Sequence, residues 1–101
     1  MIRLYKIIPF SKYIIHNRAF YGNDDDTSFI HLSTVEYIKH VYEKKYKNGY
    51  EKTDLILMSL NLDLDDTKLK NKQFSKYFFQ LYRPIYIKDI YKITNYNEEE
   101  I

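Results

Sequence analysis

Apolar residues alternate from Arg3 to Ile8, with Leu4 and Ile8 on one face and Tyr5 and Ile7 on the other, which predicts a strand in the middle of a sheet. Pro9 ends it. Phe10, Tyr13 and Ile14 return at helical spacing with Ser11 as a possible cap, and predict a short amphipathic helix from Phe10 to Arg18. Tyr21-Gly22-Asn23 and the run Asp24-Asp25-Asp26 read as an exposed, solvated loop, since Gly and Asn tolerate positive φ. Phe29 to Leu32 then reads as a short buried strand running straight into a helix whose start is marked twice. Ser33 can cap the first-turn amides and Glu36 can reach back to the Ser33 amide, with Leu32 and Tyr37 as the hydrophobic staple. Val35, Ile38, Val41 or Tyr42, and Tyr46 form the apolar stripe of this main helix, and Asn48-Gly49 stops it.

The strongest strand pattern is Asp54 to Leu62, with Ile56, Met58, Leu60 and Leu62 on one face, while the other face turns from Leu55 and Leu57 to Ser59 and Asn61. A turn over Asp63 to Leu69 leads to a strand from Phe74 to Tyr82, which Pro84 breaks. A turn at Ile87 to Asp89 and a last strand at Ile90 to Thr94 precede a solvated acidic tail over 96–101. Two main helices and about five strands predict a single α+β domain over 1–95 with a mixed or mainly antiparallel sheet.

Composition narrows the function classes. With no cysteine among 101 residues, a disulfide scaffold and a thiolate metal site are both out of reach. The net charge of +2 comes from interspersed acids and bases, so no stripe fit for nucleic acid is visible. The amino-terminal residues lack the apolar run of a signal sequence or a membrane span, and the expectation is a soluble, cytoplasmic protein. His16, His31 and His40 have no zinc-ligand spacing, and the aspartate runs lack the glutamate that would complete a cation cage, so no metal is expected. No serine or threonine has a local histidine to activate it.

His31 is the best candidate that remains. It stands at the end of a strand beside the amino end of a capped helix, where donors and an anion-favouring dipole converge. The plain alternative is an imidazole that satisfies a buried backbone group.

Phe29-Ile30-His31-Leu32-Ser33-Thr34 resembles the family catalogued as domain of unknown function 952. The likeness spans nearly the whole chain: an opening strand Leu4-Tyr5-Lys6-Ile7, the Gly22 to Asp26 loop, the stretch around His31, the helix, the Asp54 to Leu62 strand, and Phe78-Phe79-Gln80-Leu81-Tyr82-Arg83 in place of a closing Phe-Pro-His-Leu-Tyr-Gly motif. The resemblance implies a reduced ADP-ribosyltransferase-like fold, a bent sheet with a cleft that binds NAD, ADP-ribose or a related nucleotide. It places His31 against the ligand with Ser33 or Thr34 beside the phosphate path, and Gln80 and Tyr82 join the ligand-binding residues if their strand neighbours His31. Four places depart from the family pattern, one of them Phe79 at the proline position of the closing motif. Leu69-Lys70-Asn71-Lys72 puts a base where an acid is usual, Gln80 replaces a histidine, and Tyr13 stands for an early tryptophan. Losing an acid and an imidazole together tells against transferase catalysis, whereas Gln80 still donates and accepts hydrogen bonds. The expectation is therefore a binding cleft, with a non-catalytic protein-interaction module as the alternative.

Overall fold

The computed structural model describes residues 1–72 and 75–96. Its strands are β1 (Ile2–Pro9), β2 (Ile15–His16), β3 (Ala19–Phe20), β4 (Ile30–Ser33), β5 (Leu55–Leu62), β6 (Leu69–Asn71), β7 (Phe78–Leu81), β8 (Ile85–Tyr86) and β9 (Ile90–Asn95), with helix α1 (Val35–Val41) after β4. Six strands form one sheet in the order β6-β7-β4-β1-β5-β9, and β2-β3-β8 form a second. The pairings are antiparallel. The chain is thus α+β as expected, with one main helix instead of two, and with more and shorter strands than the five expected.

The two faces of β1 and β5 separate as the alternation predicts. Leu4, Ile8, Ile56, Met58, Leu60 and Leu62 join Phe20 and Ile85 of the small sheet in one core, and Ile7, Leu55 and Leu57 join Ile38, Tyr42 and Tyr46 in the other. The large sheet is therefore covered by the small sheet on one side and by the helix on the other. A π-helical turn at Tyr42–Tyr46 extends α1. Through this turn Tyr46 stays on the buried face with Ile38 and Tyr42.

Four expectations are corrected. The segment from Phe10 to Arg18 is no helix: a single 3-10 turn at Phe10–Lys12 leads into the β2-β3 hairpin, whose turn residues Asn17 and Arg18 adopt φ of 52° and 61°. Phe10 and Ile14 are both exposed, so their helical spacing has no core to face. The helix cap falls one residue later than expected. Ser33 is buried and paired in β4, while Thr34 takes the extended N-cap conformation without a side-chain cap bond. Leu32 points into the first core, away from Tyr37, which packs on Tyr77 and Phe78. Tyr96, assigned to the tail, is buried and stacks on Tyr42 with centroids 5.0 Å apart. Phe74, the expected start of a strand, and the rest of the tail lie outside the described residues.

After β7 the chain is tied down by Arg83. Its guanidinium donates to Asp66 Oδ2 through Nε at 3.0 Å and Nη2 at 2.8 Å, and to Asp89 Oδ2 at 2.8 Å. Asp89 in turn accepts the Tyr86 amide at 2.9 Å. Burial alone would lower the Arg83 pKa, but its bonds to Asp89 and Asp66 raise it. This knot fixes the end of β7, the strand that carries Gln80.

Candidate functional site

β4 is the strand on which the site is built. His31 stands opposite Gln80 of β7, and Ser33 stands opposite Tyr5 of β1 and Phe78 of β7. Alternation sends Ile30 and Leu32 into the core and leaves His31 on the other face, with its side chain 44% exposed.

The imidazole is held from behind by a group that composition does not single out. Asp26 belongs to the run read as a solvated loop, yet its side chain has no exposed area. Its carboxylate is saturated: Oδ1 accepts the His31 amide at 3.1 Å and faces His31 Nδ1 at 2.5 Å, and Oδ2 accepts the Asn23 amide at 2.8 Å and the Lys6 ammonium at 2.9 Å. Four donors match the four lone-pair positions of a carboxylate. Burial would raise the Asp26 pKa, but the Lys6 charge and the His31 and Lys6 hydrogen bonds outweigh it and hold the group below the ordinary carboxylate range. Asp26 is therefore ionised at neutral pH, and His31 Nδ1 is the donor. Lys6 is itself buried, which pulls its pKa below the usual lysine value against the opposing pull of Asp26.

The other two aspartates of the run pair on the surface, Asp24 with Lys12 at 3.2 Å and Asp25 with Lys45 at 3.1 Å. Ligand atoms of Asp25, Asp26 and His31 lie within 4.8 Å of one another, a spacing that could suit a cation. The chemistry does not fit one. Both Asp26 oxygens are occupied by donors, and a buried ammonium already supplies the positive charge.

Gly22 lets the loop close in this way. Its φ is +109°, and a Cβ there would lie 2.7 Å from the Asp26 Cβ. Asn23 Nδ2 and the Tyr46 hydroxyl both donate to the Ile7 carbonyl, at 3.2 and 3.3 Å. Burial pushes the Tyr46 hydroxyl pKa upward, so it stays a neutral donor.

In front of His31 lies a cleft of about 270 Å³ between β1, β4, β7 and the helix. Four lysines (Lys6, Lys44, Lys45, Lys72) and two histidines (His31, His40) line it, and among the described residues no carboxylate does. Tyr5, Phe29, Tyr37 and Phe78 supply aromatic walls. Of the residues the resemblance implies, His31, Ser33 and Gln80 line the cleft; Ser33 is almost wholly buried in its wall. Thr34 is outside the lining, and its amide donates to the Tyr77 carbonyl at 2.9 Å. Tyr82 sits one layer back: its ring packs on Phe29 at 5.3 Å, and its hydroxyl donates to Gln80 Oε1 at 3.1 Å. Phe29 in turn lies 4.7 Å from the His31 ring. Sequence reasoning missed Lys6, Asp26, Tyr37 and the helix-borne lysines. The one signal available for the ion pair was a lysine in the middle of a central strand, which demands a buried counter-charge.

Among the described residues no helix is long and apolar enough to cross a membrane. No curated protein matches the chain. The solved structures of protein CC0527 from Caulobacter crescentus and of a double mutant of it each superpose with a TM-score of 0.78 at 21% identity, covering 95% of this chain and 87% of theirs. Similarity at that identity speaks for the fold alone. The sequence model of the family described as "Protein of unknown function (DUF952)" matches residues 12–93.

Proposed function

Because the chain belongs to this family of unknown function, membership supplies no activity, and we propose from the cleft that it binds a small phosphate-bearing, nucleotide-like ligand beside His31. NAD and ADP-ribose are the first candidates. The observation that carries this reading is the lining, in which Lys44, Lys72 and two histidines, beside Lys6 and Lys45 that pair with Asp26 and Asp25, stand among aromatic walls with no carboxylate among the described lining residues. Such a surface favours an anionic group and a flat ring in the same molecule. The volume of about 270 Å³ falls just below the usual range for a small-molecule site, roughly 300–1,000 Å³. It suits one half of a dinucleotide, with the remainder lying along the lysine-bearing rim. The ADP-ribosyltransferase-like relationship belongs to the same proposal, supported by a sheet that parts between β1 and β4 to form the cleft. Catalysis is not part of it, since Lys72 and Gln80 stand where the family pattern has an acid and a histidine.

The test is a titration of isotopically labelled protein with NAD, ADP-ribose and nicotinamide, followed through backbone amide shifts. Saturable shifts at His31 to Thr34 and at Gln80 to Tyr82, abolished in a folded His31→Ala variant, are expected. Amides that stay still at millimolar ligand would overturn the proposal and turn attention to the protein-interaction alternative.

A further inference from the structure

The pairing described between β1 and β4 is confined to Tyr5 opposite Ser33. Next to that rung, the main-chain groups of His31 are met by side chains: its N–H donates to Asp26 Oδ1 at 3.1 Å, and its carbonyl accepts from Lys6 Nζ at 2.9 Å. In a continued antiparallel ladder a neighbouring backbone would take both. Here an ion pair stands in for the rung, with its side chains 6% and 0% exposed. Burying two charges is a costlier way to satisfy one N–H and one C=O than extending the strand. What the ion pair adds is a fixed carboxylate 2.5 Å from an imidazole nitrogen.

We propose that Lys6 is a positioning residue for His31: by holding Asp26 in place it locks the imidazole in its Nδ1–H tautomer and leaves Nε2 as a hydrogen-bond acceptor in the cleft. The other charged or titratable groups around the site are Asp25 on the loop, Tyr5 on β1, Tyr37 and His40 on α1, Lys44, Lys45 and Tyr46 on the π turn, and Lys72 after β6. Lysines offer only donors. His31 therefore supplies an acceptor in a lining rich in donors, and the ligand class sharpens to an anion that also presents a hydroxyl or N–H to Nε2. That sharpening rests on the binding reading above. The tautomer does not, and can be read without any ligand.

The experiment is long-range nitrogen–proton correlation of histidine-labelled full-length protein between about pH 5 and 9, where imidazoles titrate. In the wild type, neutral His31 is expected to show a protonated Nδ1 and a bare Nε2. In Lys6→Met, Asp26 loses the partner that holds it in place, and the single tautomer of neutral His31 gives way to a mixture. The double variant Lys6→Met/Asp26→Asn, which leaves no charge buried alone, is expected to show the same mixture. A wild-type proton on Nε2 would overturn the proposal, as would a folded Lys6→Met that keeps the wild-type tautomer. Should Lys6→Met fail to fold, the double variant decides, and a His31 that stays wholly in the Nδ1–H form there sinks the assignment.

Discussion

Replacing Gly22 by alanine tests the loop that delivers Asp26. The backbone at Gly22 has φ +109°, a conformation that costs an L-residue roughly 1–2 kcal/mol. The new methyl would also meet the Asp26 Cβ at 2.7 Å and its Oδ2 at 3.1 Å, whereas carbon atoms rest about 3.5–4.0 Å apart. The aspartate must therefore retreat by roughly 1 Å, enough to stretch its bonds to Lys6 and His31, each of a kind worth about 1.5–3 kcal/mol. These terms overlap, and a combined loss of about 3–4 kcal/mol is expected. For a domain of this size that is a fall in Tm of roughly 15–25 °C. Gly49 is the internal control: nothing lies within 4 Å of a Cβ there, and Gly49→Ala is expected to stay within about 0.5 kcal/mol of wild type. Urea unfolding followed by far-ultraviolet circular dichroism measures both. Equal losses in the two variants would refute the account of the loop.

Two further outcomes follow from the charges and turns described. Asp26 is held below its ordinary pKa because the Lys6 charge and the His31 hydrogen bond outweigh burial, and Asp66 because it accepts the Lys68 amide and the Arg83 guanidinium. With both folded values depressed, the unfolded chain binds more protons as pH falls below about 4, so this stability is present above that range and is lost beneath it. Urea midpoints should drop between about pH 4 and 2, less steeply in Asp26→Asn; an identical slope in that variant would contradict the assignment. Arg18→Gly relieves a φ of 61° in the β2-β3 turn and creates the Asn-Gly pair such hairpins favour, so stability should rise by roughly 0.5–1 kcal/mol; a lower thermal midpoint would show that the Arg18 side chain matters more than the turn.

The parts of this fold legible in the sequence are those set by long alternation. β1 and β5 bury two faces each, and their parity sorted Leu4 and Ile8 from Ile7, and Ile56 to Leu62 from Leu55 and Leu57, as the two cores require. The hairpin after Pro9 was illegible because strands of two residues carry no period, and Phe10, Tyr13 and Ile14 happened to fall at helical spacing. His31 and Gln80 could be placed by pattern, and the structure sets them opposite each other. Asp26 could not. Three successive aspartates look alike in sequence, and only tertiary placement separates Asp24 and Asp25, paired at the surface, from the one that meets Lys6 inside. Lys6 in a central strand calls for a counter-charge, but nothing local says which aspartate, 20 residues away, supplies it.

The short junction between β1 and β4 has a mechanical consequence. It divides the large sheet into two plates, β6-β7-β4 and β1-β5-β9. Within the second, β1 and β5 are laddered over their whole length, while the two plates meet at Tyr5 and Ser33. Beyond that rung the backbone ladder is interrupted, and the halves are joined instead by side chains, Lys6 reaching from β1 to the His31 carbonyl and to Asp26. The cleft straddles that seam, with Tyr5, Lys6 and Ile7 on one plate and His31, Ser33 and Gln80 on the other. A molecule that touched both sides would bridge the two halves where the ladder does not.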